Sequence, residues 1–155
     1  MKKTLLYTLF RLGAIPRRLL PILQCEGIVV ADEGIAGRLI TKNVRGPGTR
    51  YLDRSEGFSG CLVITTKRVV CFTYRKRQIN IAVGDSRMSA FCVSLPDDET
   101  LSLSFESSVF RNQWEGIVEF EFETQKARQF RDALKSVGAR EGSAADAGSL
   151  LERAR

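Results

Sequence analysis

Gly57–Arg77 reads GFSGCLVITTKRVVCFTYRKR. Two apolar, β-branched runs flank the polar tetrad Thr65-Thr66-Lys67-Arg68, which is the pattern of a buried antiparallel hairpin. An even-length turn centred on Thr66 and Lys67 sets Leu62 opposite Cys71, so Cys61 and Cys71 face opposite ways. Val63, Val70 and Phe72 then share one side, and Leu62, Ile64, Val69 and Cys71 share the other. Both sides are apolar, so a second layer has to cover the outer one.

Outward from the hairpin, seven strands are predicted: Ile35–Lys42, Cys61–Thr65, Arg68–Tyr74, Gln78–Val83, Arg87–Leu95, Thr100–Phe105 and Ile117–Glu123, divided by loops rich in Gly, Pro, Asn, Asp or Ser. In the last of them Val118, Phe120 and Phe122 alternate with Glu119, Glu121 and Glu123. In the sixth, Leu101, Leu103 and Phe105 alternate with Ser102 and Ser104. This spacing predicts one wet face for each. A helix is predicted over Gln125–Val137, capped by Thr124 and ended by Gly138, with Ala127, Phe130, Leu134 and Val137 as its apolar stripe.

The leader MKKTLLYTLFRLGAIPRRLLPILQ carries Leu5, Leu6, Leu9, Phe10 and Leu12 on one helical face and Lys3, Thr4, Thr8 and Arg11 on the other. Pro16 and Pro21 bracket a second basic-apolar piece. Arg11 and Pro16 interrupt the apolar run, which lacks a small-x-small cleavage pattern and falls short of the roughly 20 residues of a span. The segment is therefore expected to stay on a cytoplasmic protein, peripheral at most to the inner face of the membrane. Three roles are open to it. It can lie in an anionic membrane interface, cover the outer hairpin face of its own chain, or cover that of a second copy; coverage is the more economical because it also accounts for the doubly apolar hairpin.

A chain of 155 residues with 43% hydrophobic and 27% charged residues suits one globular domain with short appendages. The expected divisions are a basic helical segment over 1–26, a domain over 27–138 and a small, polar, disordered tail over 139–155. The net charge of +6 is uneven. Residues 1–24 hold five cations and no acid. Residues 38–77 hold ten cations against Asp53 and Glu56, whereas residues 85–123 hold nine acids against Arg87 and Arg111. An anionic partner would meet the leader and the early strands.

Cys25, Cys61, Cys71 and Cys92 lie in or beside apolar runs without paired spacing, and histidine is absent. Buried, reduced thiols are expected, with neither a metal site nor a cofactor. There is no imidazole base, no Gly-rich phosphate loop and no ligand cluster, which argues against an enzyme. Asp97-Asp98-Glu99 follows Pro96 and reads as a turn. The aromatics beside Arg75-Lys76-Arg77 are needed by the core, so no nucleic-acid partner is expected.

An apolar strand running into a Thr-x-x-Arg turn and straight back, with seven strands and a closing helix, resembles the pleckstrin-homology-like and GRAM-like domains, in particular their bacterial branch. The resemblance covers residues 27–138 in order of elements, and implies a seven-stranded antiparallel barrel or sandwich with a carboxy-terminal helix, preceded here by an extra amphipathic helix. It also implies a non-catalytic docking module for an acidic membrane surface, a phospholipid headgroup or a protein partner. The familiar type keeps a Trp in the closing helix; here Phe130 stands there and Trp114 precedes the last strand. Headgroups in that family sit near the loop joining the first two strands, which carries Lys42, Arg45, Arg50 and Arg54 here. Its Lys/Arg-x-Arg spacing occurs instead at Arg75-Lys76-Arg77, with Lys67 and Arg68 at the hairpin turn. These nine are the candidate phosphate ligands, since guanidinium groups offer forked, charge-assisted bonds to phosphate. Leu5, Leu9, Phe10, Arg11, Arg17 and Arg18 are the candidates for membrane or partner contact. The alternative is a structural or regulatory protein that oligomerises through the leader and the apolar hairpin face.

Overall fold

The computed structural model describes residues 3–50 and 53–146. Two short helices, α1 (Leu5–Phe10) and α2 (Leu20–Glu26), lead into β1 (Ile28–Gly46). After it come β2 (Thr49–Arg50), β3 (Arg54–Thr65), β4 (Arg68–Thr73), β5 (Lys76–Ala82), β6 (Cys92–Asp97), β7 (Thr100–Glu106) and β8 (Glu115–Glu123). Helix α3 (Ala127–Ser136) and β9 (Arg140–Glu141) follow.

The strands form one mainly antiparallel sheet, curled into a half-barrel, in the order β5-β4-β3-β1-β8-β7-β6-β9, with β2 on β1. Its axis is β1, which pairs β3 from Ile28 to Thr41 and β8 from Gly37 to Arg45. Register shifts at Ile28/Val30, Glu33/Ile35 and Lys42/Arg45 bend it, since an extra residue on one strand sharpens local twist. Gly34 is the extra residue of the second bulge, at φ 65°. A Cβ there would lie 2.3 Å from the Tyr7 ring, so glycine serves both the bulge and the seating of α1.

The hairpin register is the expected one, with Leu62 opposite Cys71. Its inner face (Leu62, Ile64, Val69, Cys71) joins the main core with Phe58, Phe120 and Phe122 from neighbouring strands and Phe130 and Leu134 from α3. The Phe58 ring meets that of Phe122 edge-on at 5.6 Å. Its outer face (Cys61, Val63, Val70, Phe72) is closed by fully buried Leu23 of α2, with Ile15 and Leu19 beside it.

Several expectations need correction. The cover of the outer hairpin face is α2 and the turn before it; α1, the more regular amphipath, buries none of its residues. The sheet has nine strands among the described residues where seven were expected, because the two-residue pieces β2 and β9 add to the seven long ones. The fifth strand begins at Cys92. Ser86–Ala90 form a 3-10 turn because Asp85 accepts from the Arg87 amide at 2.9 Å and pairs with its guanidinium at 2.7 Å. That pairing lowers the Asp85 carboxyl to about 2. Helix α3 starts two residues late, since Thr124 accepts from Lys126 N at 3.1 Å in a turn and donates to Asp32 at 2.7 Å.

The polar face of β7 is not wet: Ser102 and Ser104 are buried. Their small side chains let the chain after α3 lie close, with Ala144 N donating to Ser104 Oγ at 3.0 Å and Ser102 donating to Glu119 at 2.7 Å. The start of the tail expected to be disordered is thus part of the fold, with Arg140 and Glu141 pairing parallel to β6; residues 147–155 lie outside the described residues. Of the cysteines, Cys61, Cys71 and Cys92 are buried free thiols as expected, while Cys25 is exposed.

Candidate functional site

Two surfaces have the geometry of a binding site. The first is helix α1 and the turn after it. Thr4 caps the helix by accepting from Tyr7 N at 3.0 Å, and its own amide donates to Gly34 O at 2.9 Å. The Ser59 hydroxyl donates to Leu12 O at 2.8 Å, which leaves the Thr4 hydroxyl as donor in its 2.5 Å contact with Ser59 Oγ. Lys3 pairs with Asp32 at 2.8 Å and donates to Glu33 O. Glu33 accepts from the Tyr7 hydroxyl and from Ile15 N, both at 2.8 Å. Burial and then the bond to Glu33 raise the Tyr7 phenol above its ordinary value, so it remains a donor.

Every one of these contacts comes from the polar side of α1 or from backbone. The apolar side therefore faces outward: Leu5 is 71% exposed, Leu9 62% and Phe10 60%. Arg11 ends the helix in a left-handed conformation with its guanidinium 5.0 Å from the Tyr7 ring centre, and Arg17 and Arg18 are exposed in the following turn. The six leader residues named as contact candidates thus all lie at the surface.

The second surface is the mouth of the half-barrel, a cavity of about 270 Å³. Cross-strand register builds it in rows. Phe58, Gly37, Phe122 and Leu101 form a row beneath the cavity, packed in the core; Glu56, Leu39, Phe120 and Leu103 form the next; Arg54, Thr41, Val118 and Phe105 the outermost. Apolar character falls from the first row to the last. Ser107, Phe110, Arg111 and Trp114, from the connection between β7 and β8, close one side. Trp114 packs where a Cβ on Gly46 would sit, 2.3 Å from its ring, so glycine is what lets the indole lie against β1. Arg111 stacks 5.0 Å from the indole centre.

The nine candidate phosphate ligands do not converge. Arg54 and Lys76 line the mouth. Lys42, one residue from Thr41, takes the opposite sheet face and sits 3.7 Å from Glu119. Arg45 and Arg50 are paired on the β1–β2 ladder, Arg75 lies in the β4–β5 turn and Arg77 near the start of β5, all exposed. Lys67 and Arg68 stand at the far end of the hairpin. There Thr65 Oγ1 accepts from both their amides and donates to Glu26 at 2.9 Å, while Arg68 Nε donates to Glu26 at 3.0 Å. The Thr-x-x-Arg turn is thus a clamp on the end of α2. Burial opposes the Glu26 charge, yet the bonds from Arg68 and Thr65 outweigh it and hold the carboxyl below its ordinary value.

Arg111, Thr41 and Ser107 were not named as site residues from the sequence, and Trp114 stood out there only as a departure from the family pattern. Each lies in a segment without a motif, and only the curl of the sheet brings the four to one mouth. No family model matches the chain, and no curated protein does.

Proposed function

We propose that this protein is a non-catalytic docking module of pleckstrin-homology-like or GRAM-like architecture that attaches peripherally to an acidic membrane surface through α1. The observation that carries the reading is the orientation of α1, pinned by its polar side with Leu5, Leu9 and Phe10 outward, together with Arg11 at the end of the helix and Arg17 and Arg18 exposed in the turn after it. An interfacial helix of this kind buries its apolar face among acyl chains and sets its cations at headgroup level. No described helix is long and apolar enough to cross a membrane, which leaves this shallow mode for α1.

The architecture is supported by strand order. Counting the seven long strands alone gives 4-3-2-1-7-6-5 across the sheet, closed by a helix after the seventh. A non-catalytic role is supported by the absence of histidine and by thiols that hold their protons: burial pushes Cys61 up to about 12 and Cys71 well above the ordinary value.

Vesicle flotation tests the reading. Binding is expected to rise with the fraction of anionic lipid and to fall with salt. It should be lost when Leu5, Leu9 and Phe10 become Ser, and weakened when Arg11, Arg17 and Arg18 become Gln. Absence of binding to anionic vesicles at low salt removes the membrane reading. A dimer in sedimentation that the same three serines dissolve would assign the face to a second copy of the chain.

A further inference from the structure

We infer that the mouth of the half-barrel is a binding site for a single alkyl chain of about eight to ten carbons ending in an anion. This does not rest on membrane attachment through α1, since the cavity and that helix involve different residues. The volume of about 270 Å³ is just under the roughly 300–1,000 Å³ of small-molecule pockets. At roughly 30 Å³ for each group the size of a water, it takes about nine such groups.

The chemistry of the wall is graded in the way such a ligand requires. Leu39 and Phe120 give an apolar floor that suits methylenes and offers nothing to a polar head. At the level above it, Thr41 Oγ1 and Ser107 Oγ are shielded from solvent and have no hydrogen-bond partner, and Ser107 is only 5% exposed. Buried hydroxyls are rarely left unpaired, and these two belong to residues that line one cavity, so a ligand filling it is the acceptor the fold leaves to them. Three cations, Arg54, Lys76 and Arg111, stand on the same lining against one acid, Glu56, a local charge of +2. Hydroxyl donors and a positive rim together select an anionic acceptor over a neutral or cationic one. A carboxylate or a phosphate monoester on the chain meets both demands.

Trp114 is the chain's single tryptophan and lines the cavity, so fluorescence excited selectively at the indole, beyond the absorption of the three tyrosines, reports on this site. The full chain is titrated with decanoate, decyl phosphate, decanol and inorganic phosphate below micelle-forming concentrations. Saturable change with at least one decyl anion, at a Kd tenfold or more below that of decanol, is the expected result; the better of the two anions identifies the head. A response to decanol as strong as to both anions overturns the anionic assignment. A response to inorganic phosphate equal to that of decyl phosphate, with decanoate silent, overturns the chain assignment. Silence with both anions while the circular dichroism is native overturns the site.

Two variants sharpen the test. Thr41→Val keeps shape and removes a hydroxyl that has no partner in the fold, so thermal stability should hold while affinity falls several-fold; unchanged affinity would remove Thr41 from the head site. Val118→Phe fills the mouth and should abolish the response. The variant with Leu5, Leu9 and Phe10 replaced by Ser should keep binding the better of the two decyl anions whatever becomes of its vesicle binding, which separates failure of this site from failure of the α1 surface.

Discussion

The Tyr7 hydroxyl donates to Glu33 Oε1 at 2.8 Å, and the second oxygen of the same carboxylate accepts from the Ile15 amide at 2.8 Å. One side chain on β1 thereby ties down both α1 and the turn that leads to α2. Because the tether grips the polar side of α1, the apolar side has no place against the barrel.

Glu33→Ala should cost about 1–3 kcal/mol, the range for stranding donors that are partly buried. Glu33→Gln keeps an acceptor oxygen for one of the two bonds and should recover part of that. Urea unfolding of the three proteins checks the order wild type, Gln, Ala. Limited proteolysis should cut the Ala variant first within residues 3–18, and equal resistance in all three would count against the tether.

The two halves of the leader should separate in mutagenesis. Leu23 is fully buried among Cys61, Val63, Val70 and Phe72, so Leu23→Ala should lose about 2–5 kcal/mol through lost transfer energy and a residual cavity. Leu9 is 62% exposed, and Leu9→Ala should stay within about 0.5 kcal/mol of wild type. Thermal unfolding of both variants at one pH measures the contrast. A large loss at Leu9 would mean that α1 packs on the body after all.

That contrast also marks how far residue pattern could be read. Strand alternation set Leu62, Ile64 and Cys71 on one side and Val63 and Val70 on the other, because a period of two needs only local information. The need for a cover over one of the two apolar sides followed from the same count; that it is the side of Val63, Val70 and Phe72 is decided by the curl of the sheet. Which leader segment supplies the cover did not follow, since α1 has the cleaner helical stripe and the deciding contacts are long-range ones: Tyr7 to Glu33, Thr4 to Ser59, Arg68 to Glu26. The mouth shows the same limit. Arg54 and Lys76 stood out as cations near a loop, but Thr41 and Ser107 are ordinary strand-end residues until the curl of β1 sets them around one cavity. Lys42 was lost to parity, being one residue from Thr41 and so on the opposite face.

Glu26 gives the fold a pH dependence of definite sign. Its folded carboxyl titrates below the ordinary value of 4.5, so between the two values the unfolded chain binds the extra proton. The contribution is full above about pH 4.5 and drains away as pH falls through the lower folded value. Arg68→Met should remove this dependence and lower stability at pH 7 by about 1–3 kcal/mol, because a largely buried carboxylate loses its charge-assisted partner. Urea midpoints at pH 7, 5 and 3.5 provide the measurement. The gap between wild type and variant should narrow at the lowest pH, and a constant gap would show that Arg68 acts through packing alone.

The four thiols should divide one against three. Cys25 is exposed, whereas burial raises Cys61 to about 12, Cys71 well above its ordinary value and Cys92 in the same direction. Disulfide exchange needs the thiolate and a path to it, and the three buried sulfurs lack both at neutral pH. Ellman's reagent should therefore release one equivalent rapidly from the native protein at pH 7.5 and four in denaturant. Cys25→Ser should silence the native reaction, leaving only a slow phase governed by unfolding. The same raised values predict a loss of stability above about pH 9, where the thiols ionise in the unfolded chain but stay protonated in the fold. A second fast equivalent from native protein that Cys61→Ser removes would place the outer hairpin face in contact with solvent and overturn its coverage by Leu23.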